Sequence, residues 1–92
     1  MKFEWDENKN QLNIKNHKID FNDVVKMFNK PMLVFLDDRA DYDEDRYIGI
    51  GFLKSFIAFI VFMEKIDNTI RIISARKANK HEIKQFKTYI SN

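Results

Sequence analysis

Phe56 to Met63 reads Phe-Ile-Ala-Phe-Ile-Val-Phe-Met, eight apolar residues without a break. Eight residues fall well short of a membrane-crossing helix, which takes about 20. A run that is apolar on both faces predicts a central strand of a sheet, covered on each side. The rest of the chain must then supply those covers, an α+β arrangement. A chain of 92 residues has room for one such unit. At this size about 60–65% of the unfolded surface is buried, enough for one modest core, so residues 1–92 are expected to be a single domain.

With 45% hydrophobic and 33% charged residues, the chain is too apolar for disorder and too charged for a membrane protein. It has no cysteine, which excludes disulfides and thiolate metal sites and argues against a small secreted domain. Met1 to Asp6 places acids where a signal peptide carries its apolar stretch. These features predict a soluble, cytoplasmic protein with no membrane contact.

Lys2 to Trp5 alternates and reads as a short strand. Asp6 can cap a polar helix from Glu7 to His17, whose clear apolar residues are Leu12 and Ile14. Asp20 can cap a second helix, in which Phe21, Val24, Val25 and Phe28 fall on one face and Pro31 sets the end. Strands are expected at Met32–Leu36, Arg46–Phe52, Phe56–Met63 and Thr69–Ala75. Gly49 and Gly51 suggest a bulge or a close backbone approach. Ser74 or Asn79 starts a last helix to about Ile90. Tight turns between the late strands predict an antiparallel sheet in the order β-α-α-β-β-β-β-α.

Charge is unevenly distributed. Asp37 to Arg46 holds six acids and two bases, whereas Arg71 to Asn92 holds six bases and one acid. A basic end is compatible with a polyanion and equally with a solvated helix face. No glycine-rich phosphate loop, Walker sequence or His/Cys metal cluster is present, so neither a cofactor nor a metal is expected. The acidic stretch lacks the glycine and terminal glutamate of an EF-hand, and reads as a solvated loop or a partner contact.

The informative block is Thr69-Ile70-Arg71-Ile72-Ile73-Ser74-Ala75-Arg76-Lys77-Ala78. An arginine among so many apolar residues needs an open face, a carboxylate or an anionic ligand. In a regular strand Arg71 shares a face with Ile73 and Ala75. Arg71, Arg76, Lys77 and the following helix start suit a phosphate clamp, since guanidinium forks bind two oxygens. They suit structural ion pairs equally well, for instance Arg71 with Glu64 on the neighbouring strand.

Several blocks together resemble the BrnT family of toxins. They are Phe3-Glu4-Trp5-Asp6-Glu7-Asn8-Lys9, His17-x-Ile19-Asp20-Phe21, Val25-x2-Phe28-x2-Pro31, Tyr42-Asp43-Glu44-Asp45-Arg46 with Gly49-x-Gly51, and Arg71-Ile72-Ile73-Ser74-Ala75-Arg76-Lys77-Ala78 with Glu82. They run in order over nearly the whole chain. The resemblance implies a small ribonuclease of RelE-like fold, the toxin of a type II toxin–antitoxin pair. It implies a BrnA-type antitoxin partner that neutralises the toxin by direct binding and carries it to operator DNA. The chain departs from the family pattern at Lys18 and Asp43, where glycine is frequent, and at Phe86, where tyrosine is common; Tyr89, three residues on, carries the phenol that could substitute.

On that resemblance the expected chemistry is metal-independent RNA cleavage by the 2′-OH. Arg71 and Arg76 stabilise the phosphate, with Arg46 as a third group. Lys9 or His17 assists proton transfer or positions the RNA backbone, and Glu64 acts as base or orients the arginines. Lys77, Lys80, Lys84 and Tyr89 are expected to bind RNA. The rivals are a non-catalytic RNA- or protein-binding module on the same fold, and a structural subunit whose basic helix meets an acidic partner.

Overall fold

The computed structural model describes residues 1–41 and 43–92. Tyr42, which opens one of the resembling blocks, lies outside them. The elements are β1 (Lys2–Glu4), α1 (Glu7–His17), α2 (Phe21–Val24) running into a 3₁₀ turn (Val25–Asn29), β2 (Met32–Leu36), β3 (Tyr47–Leu53), β4 (Phe56–Lys65), β5 (Thr69–Lys77) and α3 (Lys80–Ile90). The Asp6 carboxylate accepts from the Asn8 and Lys9 N–H groups, and Asp20 accepts from that of Asn22. Asn79 and Glu82 form a reciprocal capping box at α3. α1 ends at Lys18 with φ 61°, the left-handed region that favours glycine, which accounts for the glycine expected there. The second helix is shorter than expected: its last turn tightens to 3₁₀ before Lys30, which is extended ahead of Pro31.

The sheet has the order β1-β5-β4-β3-β2, so the apolar run lies at its centre. β2 to β5 form an antiparallel meander, but β1 pairs parallel with β5. The sheet is therefore mixed, which corrects the antiparallel expectation. The helical connection after β1 carries the chain to the far edge, and the meander then returns β5 alongside β1 running the same way. No local pattern near residues 2–4 encodes that distant partner.

Ile19, Phe21, Val24 and Met27 pack on Ala58, Ile60, Phe62, Ile70, Ile72 and Ala75. This is the helical face of the sheet. On the opposite face Ile48, Ile50, Ile57, Phe59 and Val61 meet Phe86 and Ile83 of α3. α3 lies over β2 and β3 and leaves the β5 side of that face open. Gly49 is the close approach foreseen, since a Cβ there would meet Met32 Sδ at 2.7 Å and Ile60 Cγ1 at 3.1 Å. Among the described residues no helix is long and apolar enough to cross a membrane.

α1 attaches to the sheet through asparagines. Leu12 is exposed, whereas Asn10 and Asn13 are buried. Asn13 Nδ2 donates to the Ile19 carbonyl at 3.0 Å, and its Oδ1 accepts from the Ala75 N–H at 3.1 Å. Asn10 Oδ1 accepts from the Phe21 N–H at 2.9 Å, and its Nδ2 donates to Asp20. β1 is only three residues long. Beyond its end the β5 backbone needs another acceptor, and Asn13 supplies it.

Candidate active site

Five residues separate Arg71 from Arg76, an odd interval that places them on opposite faces of a regular strand. A bulge changes this. Val61 pairs with Ser74 and Phe62 with Ile72, leaving Ile73 as an extra residue in β5. Arg71 then stands opposite Met63 and Arg76 opposite Phe59, both on the open face. Ala75 stands instead on the helical face, contrary to the simple alternation.

Arg76 lies with its guanidinium carbon 3.9 Å from the centroid of the Phe59 ring. Its two terminal nitrogens donate to Glu82 Oε1 and Oε2 at 2.8 and 2.9 Å. Glu82 is fixed in turn by the Asn79 N–H at 2.9 Å. The Arg76 hydrogen bonds hold the Glu82 carboxyl below its ordinary value against the opposing effect of burial. Arg39 approaches the same ring, 5.3 Å from its centroid. Its Nε and NH2 donate to Asp37 Oδ1 and Oδ2 at 2.8 and 2.9 Å. The Asp37 side chain is fully buried, and its backbone N–H donates to the Arg46 carbonyl at 2.7 Å. Two guanidinium groups thus approach one aromatic ring, each held by its own carboxylate. Arg39 also lowers the Glu82 pKa through space, as expected for one cluster.

Sequence reasoning missed Arg39 because it sits in the acidic stretch. The available signal was Asp37-x-Arg39 directly after a strand, a spacing that lets an acid grip an arginine. Arg46 lines a shallow concavity with Asp41, Asp43, Glu44 and Met63 on the open face.

Arg71 does not join this cluster. Its NH1 donates to Glu4 Oε2 at 2.8 Å, and Lys65 Nζ meets the same oxygen at 3.1 Å. The single clamp by Arg71 and Arg76 is replaced by two stations on one face. Glu64, expected beside Arg71, pairs in register with Ile70 and belongs to the other face. Glu4 holds Arg71 in its place, and the Arg71 hydrogen bond is the leading cause of the lowered Glu4 pKa.

The other expected residues are dispersed. Lys9 and His17 are exposed on α1, which packs on the helical face. Lys77 lies over Phe56 at 5.2 Å, also towards that face. Lys80 is exposed on α3, while Lys84 and Tyr89 line a groove with His81, Gln85, Thr88 and Leu33. Phe86 is fully buried and meets Phe52 edge-on. A hydroxyl at that position would sit in the core, whereas that of Tyr89 lies on an exposed residue. Among the described residues no three His, Cys, Asp or Glu side chains are grouped to hold a metal.

These hydrogen-bonded carboxylates should make the fold sensitive to acid. Glu4, Asp20 and Glu82 are all lowered, Asp20 chiefly by the Asn22 N–H. A lowered carboxyl stabilises the folded state fully above its unfolded pKa and loses that contribution as pH falls through the folded pKa. The melting temperature should hold from neutrality to about pH 5 and fall below it, less steeply in Glu82→Gln. A scan by circular dichroism checks this; a melting temperature that rises on acidification contradicts it.

The family model described as ribonuclease toxin, BrnT, of type II toxin–antitoxin system matches residues 5–82. Among solved structures the chain is similar to the ribonuclease toxin BrnT of Brucella abortus, determined at 1.1 Å. The two share 30% identity over 87% of this chain and 99% of that one, with a TM-score of 0.70. No curated protein matches the chain.

Proposed function

The chain belongs to the BrnT family of ribonuclease toxins of type II toxin–antitoxin systems, and from that premise we propose that it is an endoribonuclease that cleaves RNA at the Arg39–Phe59–Arg76 cluster. The 2′-OH attacks the adjacent phosphorus and passes its proton to solvent water. The bond to the 5′-oxygen breaks, and that oxygen takes up a proton from water. The products are a 2′,3′-cyclic phosphate and a 5′-hydroxyl. Phosphorus passes through a state with added negative charge on its oxygens, which two preorganised guanidinium groups stabilise. The reaction needs no metal, because the arginines supply the charge.

The observation that carries this reading is the pair of guanidinium groups on the Phe59 ring. Glu82 and Asp37 fix their forks in place, so little ordering remains when the phosphate arrives. Glu82 stays ionised and is a weak base at neutral pH; its part is to aim Arg76. Arg46 adds positive charge on the same face. Arg71 with Lys65 contacts a neighbouring phosphate along the strand. Lys84 and Tyr89 extend the track along α3. Lys9, His17 and Glu64 take no part, because they lie towards the other face.

The mixed sheet with helices on both sides supports a RelE-like label. The same premise supports a cytoplasmic setting, neutralisation by a BrnA-type antitoxin, and contact with operator DNA through that antitoxin alone.

The test is incubation of the purified chain with single-stranded RNA in excess EDTA. Fragments with 2′,3′-cyclic phosphate ends are expected. Cleavage abolished by chelation overturns the metal-independent mechanism, and binding without cutting favours a non-catalytic module.

A further inference from the structure

β2 is an edge strand, and it lacks the usual protection of an edge. Val34, Phe35 and Leu36 are exposed by 43, 37 and 49%. From Met32 to Leu36 there is no charge, no proline and no register shift. Natural edges are blunted by such devices. The other edge, β1, is three residues long and carries Lys2 and Glu4.

The hydrogen-bond phase of β2 is known. The Asp37 N–H donates to the Arg46 carbonyl, so odd-numbered residues turn their backbone groups towards β3. Met32, Val34 and Leu36 therefore turn N–H and C=O outwards. Pro31 is odd-numbered, and its missing N–H does not interrupt this outer row.

We propose that β2 pairs with β2 of a second copy of this chain, antiparallel about a two-fold axis at Val34, to form a continuous ten-stranded sheet. In this register Val34 faces Val34, and Met32 faces the second copy's Leu36. About six backbone hydrogen bonds follow from the three outward-facing pairs. On one side of the sheet Phe35 falls opposite the second copy's Leu33, beside the groove that Leu33 forms with Tyr89.

Charge selects a second copy as the occupant. Lys30 is extended at the start of β2, and Asp38 follows its end. Two residues beyond each end of the pairing, Lys30 faces the second copy's Asp38, twice by symmetry. Asp38, at the start of the acidic stretch, thus lies by the second copy's Lys30. A parallel arrangement would bring two acidic stretches together.

Sedimentation equilibrium over micromolar to high-micromolar concentration tests this. The wild type should form a concentration-dependent dimer. Val34→Pro removes only an outward N–H and should leave a folded monomer across the range. Asp38→Lys should weaken the dimer by about tenfold, and Lys30→Asp combined with it should restore the affinity. A wild type that stays monomeric, or a dimer that Val34→Pro leaves intact in a folded protein, overturns the proposal. Failure of the charge swap to restore pairing overturns the register.

Discussion

Arg76→Ala should lower the RNA cleavage rate by about 10²–10³-fold. Its fork is held in both directions, by two hydrogen bonds to Glu82 and by the face of Phe59. Such a group stabilises the transition state without having to be ordered first, so kcat should fall more than KM rises. Arg39→Ala should cost a comparable factor, since it shares the same ring. The double variant should lose less than the product of the two, because both groups act on one phosphate. Arg76→Lys keeps the charge but loses the fork, and should recover little. Arg71→Ala should behave differently: it should raise KM and flatten the salt dependence while sparing kcat, as expected for a neighbouring phosphate contact. Single-turnover kinetics on a labelled oligoribonucleotide measure all of these. An Arg76→Ala protein that is folded and cuts at more than half the wild-type rate would remove the cluster from the chemistry.

The largest effect on stability is expected at Asn13. Its amide spans the Ile19 carbonyl and the Ala75 N–H, both in buried surroundings. Alanine there leaves two backbone groups without partners and opens a space between α1 and β5. A loss of about 2–4 kcal/mol follows. For a domain of this size that corresponds to a melting temperature lower by about 10–20 °C. Leu12→Ala is the control, since Leu12 is exposed. It should change stability by about 0.5 kcal/mol or less. Thermal and urea melts compare the two. Equal losses at the two positions would mean that α1 is held by its apolar residues after all.

That contrast marks what the sequence disclosed and what it hid. The bounds of α1 and β2 were legible, because each is fixed by local signals: Asp6 at one start, Pro31 at the other. The place of β4 at the centre followed from its two apolar faces. The parallel partner of β1 was not legible, because it depends on contacts 67 residues away in the chain. The attachment of α1 was not legible, because the helix is docked by the amides of Asn10 and Asn13, which satisfy backbone groups, while its apolar Leu12 is exposed. Within the candidate cluster, the sequence reading named Arg76 and passed over Arg39. Periodicity singles out a charge inside an apolar strand and passes over one inside an acidic loop. The common face of Arg71 and Arg76 was not legible either, since no residue in Ile72-Ile73-Ser74 announces a bulge.

That extra residue sets the phase of β5. Were the bulge flattened and Ile73 taken into the ladder, Arg76 would turn towards α1 and Ala75 would take its seat over Phe59. Were Ile73 deleted instead, the strand would alternate regularly and both arginines would keep their side. An open face with two stations of positive charge thus rests on one residue standing outside the pairing, not on what its side chain touches.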